Sequence, residues 1–238
     1  MKALRVSAGR GERMRPLTDA TPKPLLAVGG RPLIEWHIAR LVEAGVREMV
    51  VNTSWLAGQF PAVLGDGGRW GITLHYSYEG PEPLETGGGM RRAMPWLEGA
   101  PFLAVNADIW TDFDFTALPA EPRGLAHLVL VPNPAHHPRG DFHLLPDGRV
   151  HDRTADDPED AETLTFAGIG VYRPQLLEQA LREAVTGAPV PERFGLAQVL
   201  RHAMKSDRVH GEEHDGLWTD VGTAQRLAAL DAELMRYR

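Results

Sequence analysis

Gly9-Arg10-Gly11-Glu12-Arg13, followed ten residues later by Pro22-Lys23-Pro24, brings together the residue types that handle phosphate. Gly9 and Gly11 let backbone N–H groups approach phosphate oxygens with no Cβ in the way, and consecutive amides form an anion-binding nest. Arg13 adds a full positive charge, and the prolines on either side of Lys23 limit where its ammonium can travel. Lys2, Lys23 and Lys205 are the only lysines, so 22 of the 25 basic residues are arginine. A lysine at this place points to a need for a compact point charge. The spacing is neither a Walker A loop nor a Rossmann G-x-G-x-x-G. A lone G-x-G would be an ordinary surface turn, and the reading rests on the combination with Arg13, Pro16-Leu17 and the bracketed lysine.

Two carboxylates extend the pattern. Asp108 follows the continuous apolar segment Pro101–Asn106, and Asp220 lies in Trp218-Thr219-Asp220-Val221-Gly222-Thr223, ahead of a helix that Thr223 can cap. Each alone reads first as a turn or cap residue. As a pair from distant segments they suit Mg²⁺, which takes one or two carboxylates together with substrate phosphates and water.

The elements that must hold these residues alternate. Ala3–Ala8 reads as a strand, Pro32 opens a helix with Ile34, Ile38, Leu41 and Val42 on one face, and Gly45 suits its end. Strands are expected at Val46–Thr53, Ile72–Tyr78 and Pro101–Asn106, a short helix at Trp55–Leu64, and a turn at Gly87-Gly88-Gly89 leading into a helix to about Leu97. Beyond these, strands are read at Leu125–Val131, Asp141–Leu145, Arg149–Asp152 and Leu164–Tyr172. Helices are read at Pro174–Ala184, Leu196–Lys205 and Thr223–Tyr237, and an acidic mobile loop at Thr154–Glu162. This order predicts an α/β fold: a mostly parallel central sheet with helices on both faces and ligands at the carboxyl ends of the strands.

Composition narrows the chemistry. The 238 residues, 43% hydrophobic, can bury a sizeable core as one domain. Zero cysteines exclude thiolate metal sites, thiol nucleophiles and disulfides. A formal charge of −7 argues against nucleic acid as a partner. No apolar run has the roughly 18 residues of a membrane span, and no signal-peptide pattern is read, so a cytoplasmic enzyme is expected. The ten histidines lack zinc-protease spacing and read as surface or loop residues.

The pattern G-x-G-x-R-M-x-P-L-T…P-K-P-L resembles the signature of the sugar-1-phosphate nucleotidyltransferases, which join a nucleoside triphosphate to a sugar phosphate. The resemblance implies their Rossmann-like, GT-A-like fold with a small sugar-binding annex, residues 1–112 forming mainly the nucleotide half and 113–238 the sugar half. It narrows through Leu84-Glu85-Thr86-Gly87-Gly88-Gly89, Asn106-Ala107-Asp108, Val131-Pro132-Asn133-Pro134, Gly140-Asp141-Phe142, Phe166-Ala167-Gly168 and the Asp220 motif. These resemble the branch that transfers UMP from UTP to N-acetylmuramate 1-phosphate in cell-wall sugar recycling. By resemblance, Gly9, Gly11, Glu12, Arg13, Lys23 and Asn106 contact UTP, and Glu79, Gly87 and Gly88 face the base. Asp108 and Asp220 hold Mg²⁺, Asp141 and Gly168 meet the sugar, and Arg13, Lys23 and Asp108 serve catalysis. The lactyl carboxylate of that sugar asks for a cation, with Arg139 the first candidate and Arg153 the second. UTP and a sugar 1-phosphate are the expected partners, with no protein partner. Open alternatives are a hexose or heptose 1-phosphate paired with GTP, dTTP or CTP, and a non-catalytic nucleotide-sugar sensor. Two departures stand out. Ala107 replaces the family's usual glycine, and Arg5 and Ser7 interrupt a first strand expected to be buried on both faces. Arg5 is therefore expected to find a partner or reach an edge.

Overall fold

The computed structural model describes residues 1–97, 99–154, 157–158, 161–180, 182 and 191–236. In chain order the strands are β1 (Lys2–Val6), β2 (Ala27–Val28), β3 (Arg31–Pro32), β4 (Glu48–Thr53), β5 (Thr73–Tyr78), β6 (Phe102–Asn106) and β7 (Ile109–Thr111), then β8 (Ala126–Val131), β9 (Phe142–Leu144), β10 (Val150–Asp152), β11 (Thr165–Tyr172), β12 (Val209–Glu213) and β13 (Trp218–Asp220). The helices are α1 (Leu17–Ala20), α2 (Leu33–Glu43), α3 (Gln59–Leu64), α4 (Glu85–Leu97), α5 (Leu196–Met204) and α6 (Ala224–Arg236).

Seven strands form the central sheet in the order β12-β8-β11-β6-β1-β4-β5. β1, β4, β5 and β6 pair in parallel, as do β8 and β12, while β11 runs antiparallel to both of its neighbours. The expected mostly parallel sheet is therefore present, with a single reversed strand. The chain moves outward from β1 through β4 to β5, then crosses back to place β6 on the other side of β1. That reversal opens a crevice at the carboxyl ends of β1 and β6.

Alternation along each strand divides the core. Leu4, Val50, Phe102, Ala104 and Leu128 face Met90, Ala93 and Leu97 of α4 and Val199, Leu200 and Ala203 of α5. Ala3, Met49, Val51, Leu103 and Val105 face Ile34, Ile38 and Leu41 of α2 and Phe60 and Leu64 of α3. Fully burying each such side chain contributes roughly 1.5–3 kcal/mol. A third cluster joins Met14 of the glycine loop to Val221 and to Leu227, Leu230 and Leu234 of α6, so the C-terminal helix anchors the loop from below.

Some expectations need correction. Gly87-Gly88-Gly89 is not a turn but lies inside α4, which begins at Glu85 with φ of 63°. A Cβ at Gly87 would run into the Phe194 ring, at Gly88 into the Glu192 carbonyl, and at Gly89 into the Glu79 carboxylate. These glycines serve close packing. Strands β2, β3, β7, β12 and β13 were not anticipated. β12 reads Val-His-Gly-Glu-Glu, whose single apolar residue gives no strand signal at a sheet edge. Leu176–Ala180 forms a π-helical turn within the expected Pro174–Ala184 helix. Residues 181 and 183–184 of that helix, 155–156 and 159–160 of the expected acidic loop, and Tyr237 lie outside the described residues. Among the described residues no helix is long and apolar enough to cross a membrane.

Candidate active site

At the carboxyl ends of β1, β4 and β6 lies a cavity of about 690 Å³, lined among others by Gly9, Arg10, Gly11, Glu12, Arg13, Lys23, Glu79, Asn106, Asp108 and Gly222. Its floor is set by buried polar contacts. Asn52, at the end of β4, accepts from the Ser7 amide at 2.5 Å and donates to the Glu79 carboxylate. The Leu84 amide also donates to Glu79, at 2.7 Å. Burial pushes the Glu79 carboxyl above its usual range, against the pull of these donors.

The glycine loop turns because Gly11 takes φ of 65°, where a Cβ would also meet the Thr18 methyl at 2.8 Å. Its carbonyl accepts from Met14 N and from Thr18 Oγ1, closing the turn Glu12–Met14. Lys23, in a second tight turn, is nearly buried, with 10% side-chain exposure. Its Nζ donates to Asp108 Oδ2 at 2.8 Å, and the Asp108 side chain is 43% exposed. The predicted lysine and aspartate thus meet at the cavity wall.

Asp220 is brought close by the β7–β13 ladder, and the Val221 amide bonds the Asp108 carbonyl at 2.6 Å. Asp220 itself is not among the residues that line the cavity, although Gly222 is. Oδ2 accepts from Arg226 at 2.7 Å, while Oδ1 is buried without a hydrogen-bond donor, although His136 Nε2 stands 2.8 Å away outside hydrogen-bond geometry. Thr223 caps α6 as expected, accepting from Arg226 N. Among the described residues no three His, Asp or Glu side chains cluster as a metal cage. Two hard carboxylates, one half-exposed and one with an orphaned buried oxygen, fit Mg²⁺ completed by phosphate and water.

The remaining predicted residues are distributed outside this cavity. Gly87 and Gly88 do not line it; Glu85 and Thr86 do. Gly168, at φ of 76° in the bulge of β11, lies against Asn106, whose amide nitrogen would be 2.7 Å from a Cβ there. Asp141 Oδ2 accepts from Phe166 N at 2.9 Å and Oδ1 lies 3.1 Å from His137 Nε2. Arg139 and Arg153 line a separate cavity of about 230 Å³.

Arg5 contradicts its expectation. It is 0% exposed in the middle of the sheet, between β4 and β6, and its three guanidinium nitrogens have no hydrogen-bond partner among the described residues. Burial lowers its pKa to about 9, opposed by the negative charge of Asp108. His37 corrects the histidine reading: it is buried, held well below its usual pKa by that burial and by the Arg5 charge, with Nε2 2.7 Å from the Ile109 carbonyl. Sequence reasoning also missed Asn52, Arg10, Arg193 and Arg226. Asn52 had a signal, since it closes a parallel strand at the ligand-binding edge. Arg226 had none before the register of β13 was known.

Comparison with known proteins identifies the family. A family model described as nucleotidyl transferase matches residues 2–236. An N-acetylmuramate alpha-1-phosphate uridylyltransferase from Neisseria meningitidis serogroup B is 48% identical, covering 98% of this chain and 97% of that one. Another of that name from Caulobacter vibrioides is 30% identical, covering 98% and 96%. A Bacillus anthracis structure described as a glucose-1-phosphate thymidylyltransferase shares the fold, with a TM-score of 0.82 at 18% identity over 99% of this chain and 95% of that one. With the family pattern matched almost end to end on a fold of the same kind, this chain belongs to the nucleotidyl transferase family.

Proposed function

We propose that the protein transfers UMP from UTP to N-acetylmuramate α-1-phosphate, giving UDP-N-acetylmuramate and pyrophosphate. The observation that carries this reading is the 48% identity over nearly all of both chains to a protein of that name. A phosphate oxygen of the sugar 1-phosphate attacks the α-phosphorus of UTP as the bond to the bridging oxygen of the leaving pyrophosphate breaks. No covalent enzyme intermediate is needed, so the protein's contribution is positioning and charge neutralisation.

In this reading the Gly9–Arg13 loop, with Glu12, holds the β- and γ-phosphates through its amides and Arg13. Lys23 places its ammonium at the α-phosphate, and Asn106 bonds the nucleotide. Glu79 and the start of α4 face the base. Asp141 and Gly168 meet the sugar. Asp108 and Asp220 would hold Mg²⁺, which when bound neutralises phosphate charge. The orphaned oxygen of Asp220 and the exposed face of Asp108 support that assignment. Both substrates are highly charged, which suits a cytoplasmic step in peptidoglycan recycling. The test is pyrophosphate release with each nucleoside triphosphate against a panel of sugar 1-phosphates. UTP with N-acetylmuramate 1-phosphate should be the fastest pair. A faster pair built on GTP or dTTP would replace this reading, and no turnover with any pair would favour a sensor.

A further inference from the structure

We propose that the second cavity, between Arg139 and Arg153, is the subsite for the carboxylate of the sugar substrate; this rests on the functional reading above. The sugar named for the relatives differs from N-acetylglucosamine by a lactyl ether, whose acid is ionised at neutral pH. A protein that selects it needs positive charge beside the sugar but away from the phosphates. The cavity of about 230 Å³ is lined by Arg139 and Arg153 together with Asn133, Pro138 and Thr163. Neither guanidinium has a hydrogen-bond or ion-pair partner among the described residues, whereas Arg149, Arg173, Arg193, Arg201 and Arg226 each pair with a carboxylate. The Glu162 side chain also stands on the wall, so the cavity carries one net positive charge from these groups.

The wall is fixed from behind. Asn133 Nδ2 donates to the Thr163 carbonyl at 3.0 Å and its Oδ1 accepts from Thr165 Oγ1 at 2.8 Å, while Thr163 Oγ1 donates to the Arg139 carbonyl at 3.0 Å. The chain leads from this cavity to the sugar candidates. Asp141 lies two residues beyond Arg139 and is bonded to Phe166 N, and two residues further along that strand Gly168 packs on Asn106 in the first cavity. On this path a sugar held at Asp141 would lie two residues along the chain from Arg139. Arg139 and Arg153 are therefore specificity residues, reading a carboxylate with forked donors suited to it.

The test crosses the two arginines with the ligand's charge. Wild type, Arg139→Ala, Arg153→Ala and the double variant are assayed with N-acetylmuramate 1-phosphate and with its lactyl carboxamide, UTP being saturating. In wild type the carboxamide should lower kcat/KM by about ten- to a hundredfold, the range of a hydrogen bond to a charged group. In the double variant that penalty should shrink to within about threefold, the singles falling between, with KM for UTP unchanged. Arg139→Lys/Arg153→Lys should recover part of the penalty, which a merely misfolded loop would not. An equal penalty in wild type and double variant overturns the subsite while leaving the functional reading intact. So does a wild type that uses acid and amide equally well. A wild type that does not turn over N-acetylmuramate 1-phosphate but accepts another sugar phosphate overturns the functional reading, and the subsite with it.

Discussion

The two cavities are built on opposite principles. The first sits at the ends of parallel strands, and two of its charged groups are tied down: Lys23 is nearly buried against the half-exposed Asp108, and Glu79 is buried between Asn52 and the Leu84 amide. The second is carried by loops, and its arginines stand unpaired among the described residues, in a wall of backbone-anchored polar residues. Buried pairs resist change, because removing one partner strands the other's charge away from water. Solvated arginines cost little to hold or to replace. Under the proposed function, the difference assigns phosphate handling to a rigid frame and choice of sugar to a replaceable surface.

The sharpest way to break that division is at the frame. Asp108→Asn should lower turnover by at least about a hundredfold if it holds Mg²⁺ as proposed, since it would remove a metal-ligand charge at the transferring phosphate. It should also lower Tm, because Lys23 loses its carboxylate. Asp220→Asn should match the loss of turnover. Near-wild-type Mg²⁺-dependent turnover in either variant would remove it from the metal site. Lys23→Ala should lose more than Lys23→Arg, yet the arginine variant should stay impaired, because a planar fork on another stem cannot put a point charge in the same place. Full activity in both would make Lys23 a bystander.

The smallest effect on catalysis and the clearest on stability belongs to Arg5. Its folded pKa of about 9 lies below the unfolded 12.5, so the unfolded chain binds the extra proton between those values. The penalty is therefore full below pH 9 and is relieved as pH rises through 9 toward 12.5. Replacing a buried charge by a packed apolar side chain is neutral or stabilising by about 1–4 kcal/mol, so Arg5→Met should raise Tm by a few degrees at pH 7. A lower Tm would show that the guanidinium is compensated by something the packing does not display.

The loops and strand ends carrying Gly9, Lys23, Asn106 and Asp108 were legible in the sequence because phosphate loops and apolar strands are local patterns. Asp220 was legible as a motif, but its partners Arg226 and His136 depend on the β7–β13 register and a distant loop, which no local pattern encodes. The same holds for Gly87 and Gly88, whose role is set by Phe194 and Glu192, over a hundred residues away. Arg139 and Arg153 could be named as charges, but only the fold puts them on one cavity.

Specificity for the acid sugar tests the whole account most directly. The measurement is the ratio of kcat/KM for N-acetylmuramate 1-phosphate over N-acetylglucosamine 1-phosphate with wild-type protein and UTP. The account predicts a ratio well above one, by roughly ten- to a hundredfold for a direct charge-assisted contact to the lactyl carboxylate. A ratio at or below one would contradict it, because a site that does not favour the carboxylate has no use for the two arginines.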